Sequence, residues 1–589
     1  MPHKKILNPV AKLHEESIAH LPPWARELAR RYYTKTLSTF ILHGAVRDLQ
    51  PGTGPDDERR YLPLKQFLGE ELFGARDFVV FYDRSSGIRG ATKEMQIEIS
   101  RVVDAYDSMY GTHYASGGLP KDPGRALPLL ETFARSRLAD NKSVALIVDY
   151  AETVAPAGDA TSLSAEDRYS LVTLTKWAQD PQFLASDFSL VLIAENLTEM
   201  SPRVTRHPYA ALIPLELPTE DERADYVRFR LAGRPLKDIS SVSMTALAQM
   251  TSGLSRVQLS RIVNEALAGN RIDPEDLKAR KKEIIQAECH GLLEFIEPKH
   301  TLNVVAGHTR AKELLRAAAT AVRRGHTEVV PMGFLVSGPI GTGKTFLTTC
   351  FAGEIGIPCV KFLNFRSQWQ GVTEGNLEHI FNILRAMNPV AVIIDEADAM
   401  LGNRSASGDS GTSARVFGSI AAFMGNTDYR GRIIWFLLTA RPDLLPVDLK
   451  RQGRAEEHLA LFYPQTPAEY DELFRAMAKK SKTELGAASP GSLIPLDSPS
   501  MSGADIEAAL VRARARAVAA GREEVTEDDL KATFADFLPP SYPLEVELQT
   551  LVAILECTSR ELLPSKYRDV NRSDLVRRVR EIKTLIAES

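Results

Sequence analysis

The chain has little cysteine, no long apolar run and no surplus of positive charge, and each shortage removes a class of protein. Its 589 residues include four cysteines, Cys289, Cys350, Cys359 and Cys557, with no paired spacing, which excludes a disulfide framework and a cysteine-built zinc site. Cys289-His290 stands alone, and His14-Glu15-Glu16 has no second histidine at the zinc-protease spacing. No stretch of about eighteen apolar residues occurs, so no membrane-spanning helix is expected. Lys4 and Lys5 are not followed by an apolar segment of signal-peptide length, so a cytoplasmic protein with reduced thiols is expected. The net charge of −4 argues against a general binder of nucleic-acid backbones, whose surfaces are basic. The basic clusters around Arg280 and Arg578 read as solvated helix faces. With 44% hydrophobic and 25% charged residues, what remains is globular protein too long for one core.

One segment carries chemistry outright. Gly338-Pro339-Ile340-Gly341-Thr342-Gly343-Lys344-Thr345 follows the strand-like run Gly333–Ser337 and precedes the helix opening at Phe346. That strand–loop–helix setting gives the glycine pattern its meaning as a phosphate cradle. Backbone N–H groups at a helix N-terminus close on the phosphates of a nucleoside triphosphate, Lys344 adds a point charge, and the Thr345 hydroxyl reaches Mg²⁺. Further on, the apolar run Val392-Ile393-Ile394 ends in Asp395 and Glu396. Asp395 is expected to hold the magnesium shell, and Glu396 to polarise an attacking water.

The surrounding segments resemble the AAA+ ATPases, well over residues 301–537 and in outline over 26–275. Val305-Ala306-Gly307, followed by Ala311–Leu315, resembles the family's loop that frames the adenine ring. Trp369 and Gly371, within Ser367–Glu374, resemble the aromatic-x-Gly pore loop that grips a threaded polypeptide, and Gly402–Ser413 has the composition of a second pore loop. Leu438–Asp443 sits where the family has its sensor strand, ahead of Arg451-Gln452-Gly453-Arg454; in relatives two such arginines reach into the neighbouring subunit's site. Ser502-Gly503-Ala504-Asp505 opens a helix where relatives carry the lid sensor. The segment Asp409–Gly418 is similar to a cyanobacterial and plastid AAA family. One departure stands out: the sensor asparagine that orients the lytic water is replaced by Ala440, with Thr439 one position away offering a partial substitute.

The N-terminal half reads as a worn copy of the C-terminal half. Val144–Val148 ending in Asp149 parallels the run ending in Asp395, and Ser189–Asn196 parallels the sensor strand. The offset between Asp149 and Asp395 nearly equals that between Gly253 and Gly503, as a tandem duplication leaves it. The chemistry is gone: Tyr150 replaces the catalytic glutamate, and neither His43–Asp48 nor Arg84–Gly90, the two candidate loops, contains Gly-Lys-Thr.

The expected architecture is α/β, two tandem AAA+ modules, each a parallel-sheet domain with a helical lid. A leader is expected over 1–25, a degenerate module over 26–217, its lid and a connector over 218–300, the active domain over 301–465, a second lid over 466–537, and a helical C-terminal extension from 538. The resemblance implies ATP and Mg²⁺ as cofactors, a homo-oligomeric, hexameric ring, and a protein client, with nucleic acid and membrane disfavoured. The alternative is a nucleotide-controlled assembly scaffold with slow turnover.

Overall fold

The computed structural model describes residues 18–54, 58–158, 161–269, 271–289, 292–363, 374–401, 412–486, 489–494, 500–536 and 542–588. Trp369, Gly371 and most of the Gly402–Ser413 loop lie outside the described residues. The chain divides into two compact units, Met1–Ile285 with Thr373–Ala386, and Gln286–Val372 with Met387–Ser589.

In the first unit, β1 (Thr39–Gly44) is followed by the hairpin β2 (Leu49–Thr53) and β3 (Arg59–Pro63). Then come β4 (Phe78–Asp83), β5 (Gly87–Gly90), β6 (Val144–Val148), β7 (Phe188–Ile193) and β8 (Ala210–Leu215). A six-stranded sheet forms in the order β5-β4-β6-β7-β1-β8, parallel except for β5. Every residue of β6 is buried, as a strand covered on both faces must be, so its sequence is continuously apolar. Side chains alternate between the faces: Val144, Leu146 and Val148 join one core, and Ala145 and Ile147 the other. The second core also takes in Ile18, Leu21 and Trp24, so the end of the expected leader is structural. The lid begins with the helix Glu220–Leu231, where Thr219 and Glu222 form a reciprocal capping box.

In the second unit, β9 (Leu293–Ile296), β10 (Gly333–Ser337), β11 (Cys359–Phe362), β12 (Val390–Ile394), β13 (Ile433–Thr439) and β14 (Glu457–Ala460) form the sheet β14-β10-β13-β12-β11-β9. Only β9 is antiparallel, and it starts the domain ahead of the expected boundary at 301. The last strand ends at Ala460. The lid contains the helices Pro467–Lys480, Gly503–Ala519 and Glu527–Asp536. After it, the helices Pro543–Glu556 and Arg572–Glu588 pack on each other through Leu548, Leu551, Val552, Leu575, Val579 and Ile582.

The two sheets correspond strand for strand: β8, β1, β7, β6, β4 and β5 stand where β14, β10, β13, β12, β11 and β9 stand. This correspondence selects between the two candidate loops of the first module. The loop after β1 answers to the phosphate loop after β10, whereas Arg84–Gly90 belongs to the hairpin of β4 and β5.

Candidate functional site

The loop Gly338–Gly343 leaves β10 and enters the helix Lys344–Ile355. At Gly338, φ is 141° and a Cβ would lie 2.1 Å from the Leu461 carbonyl oxygen, so only glycine fits. Gly341, at φ 83°, lies so close to the lid that a Cβ would meet the Ser502 Cβ at 2.7 Å. The helix has Gly343 at its N-cap, no capping side chain and no acidic residue in its first turn. Its first-turn N–H groups therefore face outward as an anion site, strengthened by the helix dipole. Lys344 turns its ammonium onto the carbonyl oxygens of Gly338 and Pro339, at 2.8 and 2.9 Å. Burial pulls this ammonium down to about 8, with Asp395 and Asp398 opposing the shift.

Across the loop, the Thr345 hydroxyl donates to the Asp395 carboxylate at 3.2 Å. The Lys361 ammonium, from β11, lies 2.8 Å from the same carboxylate oxygen. A carboxylate and a hydroxyl converging beside an uncapped helix N-terminus suit a hard divalent cation bound together with phosphate. Lys361 was not foreseen, because nothing in its local sequence points to Asp395. Glu396 is exposed and adopts φ 48°, an uncommon left-handed conformation that turns the chain immediately after the strand.

Thr439, buried at the end of β13, donates its hydroxyl to Asp398 at 2.6 Å and accepts the Arg441 N–H at 2.8 Å. Its oxygen is thus committed within the protein, and Ala440 beside it has no polar side chain. Arg451 and Arg454 both pair with Asp448. Arg451 is exposed, with 59% of its side chain accessible, whereas Arg454 is largely covered and also donates to the Asp448 carbonyl at 2.9 Å.

A cleft of about 900 Å³ runs from this loop between the domain and its lid. Val305, Ala306 and Gly307 line it with Gly341, Thr342, Gly343, Phe346, Gly503 and Ala504. His308 ties this lead-in segment to the phosphate loop through the Thr342 carbonyl at 3.1 Å. The Gly307 N–H binds Glu472 of the lid at 3.0 Å. The Tyr463 hydroxyl donates to the Ile340 carbonyl at 2.6 Å, while Pro339 contributes its carbonyl to Lys344. Ser502 and Asp505 cap the helix that presents Gly503 and Ala504.

The corresponding place in the first unit is built differently. After Gly44 the chain runs through Ala45–Asp48 into β2, so no phosphate-facing helix N-terminus follows the loop. Asp149 follows β6, and Tyr150, at φ 52°, repeats the backbone turn made by Glu396. Asp149 is 3% exposed and is bound by Arg47 at 2.8 Å and Lys65 at 3.0 Å. Arg47 also reaches Glu195 at 2.8 Å and lies over the Tyr150 ring at 3.9 Å. The protein's own cations hold this carboxylate.

Residues 334–463 match the ATPase family associated with various cellular activities (AAA). Residues 11–216 match the AAA+ chaperone N-terminal Rossmann-like domain, and residues 221–290 match the AAA+ chaperone second helical domain. The chain is built from AAA+ domains. Among proteins similar to this AAA+ chain is the uncharacterized AAA domain-containing protein ycf46 of Trieres chinensis, 26% identical over 329 residues, 54% of this chain and 64% of that protein. The cell division cycle protein 48 homolog of Archaeoglobus fulgidus is 24% identical over 377 residues, 58% and 50% of the two chains. The ATP-dependent zinc metalloprotease FtsH of Cutibacterium acnes is 32% identical over 247 residues, 39% and 34%. The chain thus spans from about a third to just under two thirds of the length of these curated relatives. No helix among the described residues is long and apolar enough to cross a membrane.

Proposed function

We propose that the second module binds ATP with Mg²⁺ and hydrolyses it, and that the cycle drives remodelling or unfolding of a protein client by a ring of identical subunits. The observation that carries this reading is the 3.2 Å approach of Thr345 to Asp395 beside an uncapped helix N-terminus holding Lys344. Bound there, Mg²⁺ supplies charge stabilisation to the phosphoryl oxygens. The first-turn N–H groups and Lys344 hold the phosphates in place. Thr345 and Asp395 orient the cation, and Glu396 accepts a proton from the attacking water. Arg451 and Arg454 act on the neighbouring subunit's site, in the manner of trans arginines that raise phosphoryl-transfer rates by about 10³–10⁵. Trp369 and Gly371 grip the client. The first module serves as scaffold or docking platform, since Arg47 and Lys65 satisfy Asp149 without a ligand.

A nucleotide-controlled assembly scaffold is the second reading. It is favoured by Ala440 and by the commitment of the Thr439 hydroxyl to Asp398, which leave the water without a sensor partner. Phosphate release, measured with and without an unfolded model protein, separates the two. Stimulation that is lost in Trp369→Ala supports remodelling. Slow, unstimulated turnover with ATP-dependent assembly supports the scaffold, and stimulation by DNA instead of protein opposes both.

A further inference from the structure

The C-terminal extension, whose sequence carries no motif, is wired into the second module at several points. Gln549, on the helix Pro543–Glu556, is 9% exposed, and its side-chain oxygen accepts the Ile340 N–H of the phosphate loop at 3.1 Å. At the end of that helix, Glu556 binds Lys450 at 2.6 Å, one residue before Arg451. Thr558 accepts the His458 N–H of β14 at 3.0 Å. Glu561 pairs with Arg310, at the start of the helix behind Val305–Gly307. Leu562 is buried in the domain's own core with Leu302, Val305 and Ala311. Finally, Lys583 of the last helix binds Asp443 at 2.7 Å, the same carboxylate that holds Arg441 beyond the sensor strand.

These anchors bring Glu561–Ser565, with Lys566 and Arg568, to the wall of the 900 Å³ cleft, facing the lead-in segment and the lid. The phosphate end of the cleft is already occupied by Gly341–Gly343. What the extension borders is therefore the remaining space, into which the nucleoside of a bound nucleotide must extend. We infer that the segment Glu561–Arg568 forms a wall of the nucleoside-binding end of the ATP site, which makes the C-terminal extension part of the nucleotide pocket. The inference rests on the nucleotide-binding reading above and adds to it a third structural contributor beside the domain and its lid.

Ser565 is exposed on this wall, so Ser565→Trp adds bulk to the cleft without disturbing a core. Equilibrium binding of ATP and of inorganic tripolyphosphate is compared in the parent and variant full-length chains, with thermal unfolding as the folding control. ATP should bind about tenfold more weakly to the variant, and tripolyphosphate unchanged, because it needs only the phosphate loop. Hydrogen–deuterium exchange of the unaltered chain supplies a test that needs no variant: ATP should slow exchange over 560–568 as well as over 304–311, and neither in Lys344→Ala. ATP affinity within about twofold of the parent, or equal weakening of both ligands, overturns the inference. So does protection at 304–311 without protection at 560–568. If the parent chain binds no ATP at all, the nucleotide-binding reading falls as well.

Discussion

At the residue scale, the proposed nucleotide chemistry of the second module centres on Lys344, Thr345, Asp395 and Glu396, whose neighbours frame the tests below. Lys344 is half-buried and donates to two carbonyl oxygens, an arrangement that an incoming phosphate improves. Lys344→Ala should abolish ATP binding by the whole chain, because the loop after β1 leads into a strand and cannot substitute. Equilibrium binding of a fluorescent ATP analogue checks this, and residual micromolar binding would show that the first module holds nucleotide. Glu396 is exposed on its left-handed turn, where its backbone N–H donates to the Asp395 carboxylate at 3.1 Å. Glu396→Gln should keep ATP binding while phosphate release slows by about tenfold or more, since an amide accepts no proton. Release at the parent's rate would remove Glu396 from that role.

At the scale of elements, the two modules show how one sheet order supports opposite outcomes. Behind β10 a glycine loop opens a helix, and the site is left for an anion. Behind β1 the same position opens the hairpin β2–β3, and Arg47 crosses the gap to Asp149 and Glu195. Removing one partner of a buried ion pair leaves an uncompensated charge. Arg47 is partly exposed and Lys65 remains, so Arg47→Met should cost about 1–3 kcal/mol. The double variant with Asp149→Asn should recover part of that loss. Denaturant unfolding of the four proteins of this cycle measures the coupling, and strictly additive effects would count against the pair. The sequence shows that the first copy lacks Gly-Lys-Thr and has Tyr150 in place of the second carboxylate. It left two loops in contention because both follow apolar strands, and only strand order distinguishes a hairpin turn from a phosphate-loop position. The packing of Ile18, Leu21 and Trp24 was not legible for a related reason: they join a core built from strands distant in sequence, and no local period announces it.

For the whole molecule, the ring reading depends on Arg451 and Arg454, which are not among the described residues that line the cleft. Asp448 holds both in place, but Arg454 is covered whereas Arg451 is largely accessible, so Arg451 is the cleaner probe. Mixing Arg451→Ala chains with Lys344→Ala chains should restore ATP turnover. Some interfaces then join an intact phosphate loop to an intact arginine, which neither variant achieves alone. Turnover no greater than the sum of the separate proteins, with subunit exchange shown independently, would argue against shared sites.

What the sequence by itself determined was the glycine loop between strand and helix, the paired carboxylates after a buried strand, the start of the lid helix at Ser502 and the tandem arrangement of two α/β modules. Each is a contiguous pattern in which a strand, a glycine turn and a helix start follow one another, so local sterics and hydrogen bonding suffice to specify it. Tertiary structure alone decided that Lys361 faces Asp395, that the Thr439 hydroxyl goes to Asp398, and that Arg47 closes the first module's vacant carboxylate. It also decided that Gln549, Glu561 and Leu562 bring the C-terminal extension to the nucleotide cleft. Those contacts join residues far apart in the chain, and they arise from strand order and from packing of one element on another. Such contacts leave no spacing in the sequence to read.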